Sequence, residues 1–161
     1  MKVFTEEEAF KRAAASCSCQ ELCRADVEDK LLKWNMSHEA TERILARLEA
    51  DKFLNEERYC RAFISDKLRF AKWGKQKIAG GLRLKQVSYK LAWQLLEEVD
   101  REEYLAVLRD IITSKRKSIR AGSEYELNAK LIRFALSRGF EMKDICLYVQ
   151  ADEIADETDE K

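Results

Sequence analysis

Proline is absent from the 161 residues, glycine occurs five times and histidine once. A turn-rich β domain needs more of the first two than this, so helices ended by capping are the expectation. Any Ser/His/Asp or Cys/His catalytic set would have to pass through His38, which leaves few routes to nucleophilic or acid/base chemistry, and no catalytic residue is assigned. No apolar run approaches the roughly 18 residues that cross a bilayer, so no membrane association is expected. The opening "MKVFTEEEAF" is acidic where a signal peptide would be basic and then apolar, which predicts a cytoplasmic protein.

Five cysteines, an odd number, make no disulfide framework. Cys17, Cys19 and Cys23 with His38 could be imagined as a metal set. Their C-x-C-x3-C spacing matches no zinc pattern, and residues two apart on a helix face different ways. The stretch "AGGL" lacks the lysine of a phosphate loop and follows no strand pattern. Neither metal nor cofactor is therefore expected.

What is present is apolar residue at helical spacing and charge. Hydrophobic residues make up 46% and charged residues 37%, with a formal net charge of zero. The segments "VEDKLLKWNMSHEATERIL", "IAGGLRLKQVSYKLAWQLL" and "LIRFALSRGFEMKDICLYV" superpose without a gap when Met36, Val87 and Phe140 are set equal. Val27, Ile78 and Leu131 then align, as do Ile44, Leu95 and Tyr148, and the period is helical. A further amphipathic helix precedes each pair, predicting nine helices in three repeats.

Asn55, Ser37, Ser88 and Ser123 read as N-caps, Ser123 forming a capping box with Glu126, and Gly139 suits a left-handed helix end. Cys23 is a poor cap. The expected organisation is 1–54, 55–100 and 101–150 as three-helix repeats, with 151–161 as an acidic tail holding six carboxylates. A fifty-residue unit buries little alone, so the repeats are expected to pack end to end as a short elongated solenoid. Tyr59, Phe63, Ile64, Leu82, Val87 and Trp93 are expected in the core. Gly80 and Gly81 each cost a helix about 1 kcal/mol relative to alanine, and close packing within the repeat is the expected reason.

The block "FLNEERYCRAF" followed by "KWGKQKI", with the flanking "KLLKWNMSHEATERIL" and "KLIRFALSRGFEMKDI", closely resembles the RecX regulatory proteins of bacteria over about residues 9 to 150. That resemblance implies an all-α protein of three tandem three-helix repeats that is not an enzyme. It implies binding to the RecA filament on single-stranded DNA, with restraint of RecA's ATP hydrolysis, strand exchange and the co-protease activity behind the SOS response. DNA contact is expected to be weak alone, and the protein to be a monomer. The competing reading is a helical repeat protein that binds nucleic acid without RecA.

From Lys67 to Lys90 there are eight Lys or Arg and no Asp or Glu. Lys67, Arg69, Lys72, Lys75, Lys77, Arg83, Lys85 and Lys90 have no acidic neighbour in sequence, so they repel one another and favour an anionic surface. A second patch, Lys115, Arg116, Lys117 and Arg120, occupies the corresponding junction of the third repeat. Together with Trp73 these residues are the candidate RecA or DNA contact, giving affinity without sequence preference. A turn anchor is the leading expectation for the Trp73 ring, and base stacking the alternative.

Overall fold

The computed structural model describes residues 3–150, and within them every regular element is a helix. In order these are α1 (Glu6–Cys19), α2 (Arg24–Lys33), α3 (His38–Ala50), α4 (Glu56–Arg69), α5 (Lys75–Leu84), α6 (Tyr89–Glu97), α7 (Arg101–Ser118), α8 (Glu124–Ser137) and α9 (Met142–Ile145). The acidic tail, Asp152 to Glu160, lies outside the described residues.

The caps explain where the helices begin. The side chain of Asn55 accepts the Arg58 N–H at 2.8 Å, that of Ser37 the Ala40 N–H at 3.1 Å and that of Ser88 the Leu91 N–H at 3.3 Å. Thr5, not read as a cap from sequence, closes a full capping box with Glu8. At Ser123 the box is displaced: its hydroxyl accepts the Glu126 N–H at 3.1 Å, but the Glu126 carboxylate turns back to the N–H of Gly122 at 3.0 Å. At Cys23, the weak cap, the Asp26 carboxylate accepts the Cys23 N–H at 3.3 Å and compensates.

The repeat shows most clearly in the turn before each anchor residue. Asn35, Gln86 and Gly139, one before Met36, Val87 and Phe140, all have positive φ, at 61°, 62° and 98°. The anchor N–H then reaches back to the same helix position each time: Met36 to Leu31, Val87 to Leu82 and Phe140 to Ala135. These are three copies of one left-handed helix stop with its 6→1 hydrogen bond. Only Gly139 announces it by residue type; Asn35 tolerates the conformation, and Gln86 adopts it because the buried Val87 fixes the turn.

Residues 3–150 form two compact units, 3–63 with Leu82–Ala92, and Ile64–Gly81 with 93–150. In the first, α1, α2 and α3 close around Ala9, Phe10, Ala13, Val27, Leu31, Ile44, Leu45 and Leu48. Leu31, Leu45 and Leu48 are fully buried, each contributing roughly 1.5–3 kcal/mol. In the second, Tyr104, Leu108, Leu131, Phe140 and Ile145 are buried, with the Tyr104 and Phe140 rings 5.2 Å apart.

Two expectations need correction. Tyr59, Ile64, Leu82 and Val87 are buried, but Phe63 and Trp93 are only half-buried. A Cβ added at Gly80 would meet nothing within 4 Å, so close packing does not explain that glycine. The tight approach is elsewhere: a Cβ at Gly74 would lie 2.4 Å from the carbonyl carbon of Gly139. There the backbone ahead of α5 lies directly on the α8–α9 turn.

Candidate functional site

α4 ends in Lys67 and Arg69, where the negative end of the helix dipole favours cations. The chain then reverses through Lys72, whose φ is 57°, and the Trp73 N–H returns to the Lys67 carbonyl at 3.0 Å. This turn sets the half-buried Trp73 ring beneath two ammonium groups, Lys67 Nζ at 5.0 Å and Lys77 Nζ at 4.7 Å from its centroid. Trp73 is thus held in the turn, as expected, and it also carries charge.

Lys75 is held one turn further on. Its N–H donates to the Tyr104 hydroxyl at 2.9 Å and its Nζ lies 4.8 Å from the Tyr104 ring centroid. Burial pushes the Tyr104 hydroxyl up to about 12, so it stays protonated at neutral pH. The N-terminus of α5 is occupied by protein: the Gly74 N–H donates to the Arg138 carbonyl at 2.7 Å and the Gln76 N–H to the Gly139 carbonyl at 3.0 Å. Two of the donors that could have met a phosphate there are already used.

The premise that the basic stretch is uncompensated holds only in part. Arg69 pairs with Glu103 at 2.7 Å, Lys72 with Asp110, and Lys85 with Asp26 at 2.9 Å, each acid coming from a distant part of the chain. The Lys85 ammonium, helped by the Cys23 N–H, holds the Asp26 carboxyl below its usual range although burial works to raise it. Among the described residues Lys75, Lys77, Arg83 and Lys90 make no ion pair, and Arg83 and Lys90 are exposed.

In the second unit the two basic patches share a cleft of about 470 Å³, lined by Phe70, Lys72, Asp110, Lys115, Phe134 and Arg138 among others. Lys115 Nζ and Arg138 Cζ lie 4.9 Å and 5.1 Å from the Phe134 centroid. Arg116 donates to the Tyr148 carbonyl at 3.5 Å, Lys117 is exposed, and the Arg120 carbonyl accepts Lys130 Nζ at 2.9 Å. Tyr104, Phe134, Arg138 and the 81%-exposed Phe70 were not anticipated as part of this surface. Phe134 and Arg138 are four apart on one helix face, a signal the sequence does carry.

Residues 55–94 match the family model of the RecX second three-helix domain, and 102–148 that of the third. The chain belongs to the RecX family. A regulatory protein RecX of Clostridium perfringens (strain 13 / Type A) is 31% identical over 127 residues, covering 75% of this chain and 57% of the relative. One from Bacillus mycoides (strain KBAB4) is 23% identical over 157 residues, covering 96% of this chain and 57% of the relative. This chain thus spans little more than half the length of those RecX relatives.

The backbone agrees with two crystal structures of RecX proteins. A regulatory protein RecX superposes with a TM-score of 0.82 at 17% identity, covering 90% of this chain and 72% of that one. RecX from Lactobacillus salivarius superposes with a TM-score of 0.77 at 19% identity, covering 97% of both. The relatives it matches are named regulatory proteins. Among the described residues no group of three or more His, Cys, Asp or Glu could hold a metal ion, and no helix is long and apolar enough to cross a membrane.

Proposed function

We propose that this chain binds the RecA filament on single-stranded DNA and restrains its ATPase, strand exchange and SOS co-protease activities. The observation that carries this reading is membership of the RecX family, whose curated members here are regulatory proteins. The chain acts in the cytoplasm as a monomer, organised as repeats 1–54, 55–100 and 101–150 followed by the acidic segment 151–161.

The contact surface in this reading is the basic set around Trp73, with Lys67, Lys75 and Lys77 as its centre. Arg69, Lys72 and Lys85 hold the fold through their ion pairs and contribute field more than direct contact. Lys115, Arg116, Lys117 and Arg120 add positive charge in the same unit as Trp73, and Arg83 and Lys90 add it in the other. Cations of this kind supply affinity and salt dependence without sequence preference, which suits a partner that forms on any single strand.

The test is the DNA-dependent ATPase of RecA from the same organism, titrated with this protein. A progressive fall in hydrolysis that weakens as salt rises is the expected result. An ATPase untouched by a large excess of the protein overturns the reading. If the protein binds bare single strands yet leaves the ATPase alone with DNA in excess, it is a nucleic-acid-binding repeat protein that acts without RecA.

A further inference from the structure

The cleft of about 470 Å³ in the second unit has two kinds of lining. Phe70, Ile111 and Phe134 make part of it apolar, and Phe70 is 81% exposed. Lys115 and Arg138, both half-buried, bring cations to the Phe134 ring at 4.9 Å and 5.1 Å and make no ion pair among the described residues. Lys72, which also lines the cleft, is by contrast paired with Asp110. An apolar surface beside two unpaired cations fits a peptide in which an apolar side chain stands among carboxylates. The chain carries such a segment close by. In residues 151–161, ADEIADETDEK, Asp152, Glu153, Asp156 and Glu157 surround Ile154, with six acids in all against one lysine. Because the chain is formally neutral, residues 1–150 are then net positive by five. The described residues end at Gln150, two beyond Tyr148, whose carbonyl accepts a hydrogen bond from Arg116 at 3.5 Å. Lys115 of the cleft adjoins Arg116 on α7. Ile154 lies six residues beyond Tyr148, at most about 22 Å of extended chain, so the cleft falls inside its reach.

We propose that this cleft is a peptide-binding site whose occupant is the chain's own acidic segment, with Ile154 seated against Phe70 and Phe134 and the flanking carboxylates on Lys115 and Arg138. Charge alone would send the segment to any unpaired cation of the protein. Ile154 selects the cleft, because there its apolar surface leaves water together with that of Phe70. The cations over Phe134 keep their charge, since a ring orients a cation without neutralising it, and they remain able to meet a carboxylate. Tethering supplies the rest. A covalently linked segment has an effective concentration in the millimolar range, so one that as a free peptide would bind with a Kd of about 0.1 mM occupies the cleft roughly nine-tenths of the time. Docking covers Lys115, so the segment and any anionic partner of that residue exclude one another, and the segment acts as a built-in competitor. The contact is within one chain and does not depend on the filament reading.

The experiment compares backbone amide resonances of the isotope-labelled full chain with those of one variant carrying Asp152→Asn, Glu153→Gln, Ile154→Ser and Asp156→Asn. At low salt the expected result is displacement of the resonances of Ala71, Ser114, Lys115, Phe134 and Arg138, with those of Leu45 and Leu48 in the first unit unmoved. In the parent, salt of about 1 M, where the Debye length is about 3 Å, should carry the cleft resonances toward their positions in the variant. The reciprocal change, Lys115→Glu with Arg138→Glu, should displace the resonances of Asp152 to Glu157. Melting temperatures report whether each variant is folded. If the cleft variant is not, the segment variant still decides, because it alters no residue of any helix. Cleft resonances that coincide in the parent and the segment variant overturn the proposal. So do displacements confined to Arg83 and Lys90, which would seat the segment on the first unit. Displacements that disappear on dilution also overturn it, since the occupant would then be the segment of a second copy.

Discussion

The α1–α3 bundle and the α4–α5 junction are built from similar residues and treat their positive charge differently. In the bundle, arginines close on carboxylates of another helix: Arg43 on Glu6 at 2.7 Å, Arg47 on Glu7 at 2.8 Å, and Arg24 on both Glu42 and Glu49 at 2.8 Å and 2.7 Å. At the junction Arg69 and Lys72 pair with Glu103 and Asp110, while Lys75 and Lys77 lie over the rings of Tyr104 and Trp73. A ring orients an ammonium without cancelling its charge. Those arginines of the bundle are thus paired within the protein, whereas Lys75 and Lys77 make no ion pair among the described residues.

The largest effect expected from breaking this contrast is at Gly74, the backbone contact that fixes the junction. Gly74→Ala forces a Cβ to within 2.4 Å of the Gly139 backbone and should cost roughly 2–3 kcal/mol, the upper part of the ordinary range. Gly122→Ala, where the nearest neighbour is the movable Glu126 carboxylate at 3.4 Å, should change stability by less than about 0.5 kcal/mol. Urea midpoints of the two variants check this, and equal midpoints would remove the close approach from the account.

Next in size is charge reversal at the junction. Lys75→Glu with Lys77→Glu should leave helical circular dichroism unchanged and weaken the effect on RecA about tenfold at low salt, roughly 1.4 kcal/mol. The matched change in the bundle, Arg43→Glu with Arg47→Glu, should do the reverse. It should keep the RecA effect and lower stability by roughly 0.2–1 kcal/mol per lost exposed pair, with new repulsion against Glu6 and Glu7. If both double variants alter RecA equally, the two regions do not differ as described.

The smallest effect concerns Asp26, which Lys85 holds below the ordinary carboxylate range against the opposing effect of burial. A carboxyl whose native pKa lies below its unfolded one stabilises the fold above the unfolded value, about 4, and that contribution is lost as pH falls through the native value. Acid unfolding of Asp26→Asn should therefore show a shallower loss of stability below about pH 4 than the parent, and at pH 7 a deficit of roughly 0.5–1 kcal/mol. Superimposable acid limbs would show that the pair is silent.

Much of the fold was legible because it is written in local patterns. The threefold spacing of Val27, Ile78 and Leu131 marked buried positions correctly, as did the caps at Asn55, Ser37 and Ser88. The left-handed turn was legible at Gly139 alone. At Gln86 the residue type conceals it, because a buried anchor selected the conformation against propensity. In the third repeat the expected last helix shrinks to Met142–Ile145, its carbonyls then taken by tighter turns through Leu147 and Tyr148.

By itself the sequence determined the helices, their threefold repetition and the family, since periodicity, capping and local motifs act over a few residues. It also located the positive charge. Which of those cations are paired within the protein was decided by tertiary structure, because ion pairs form through space. Glu103, Asp110 and Asp26 reach Arg69, Lys72 and Lys85 across 34, 38 and 59 residues of chain. The two informative glycines were likewise sorted only by the packed chain. Gly74 has no room for a side chain and Gly80 has nothing but room, and no local signal separates them, since what surrounds each is brought there by the fold.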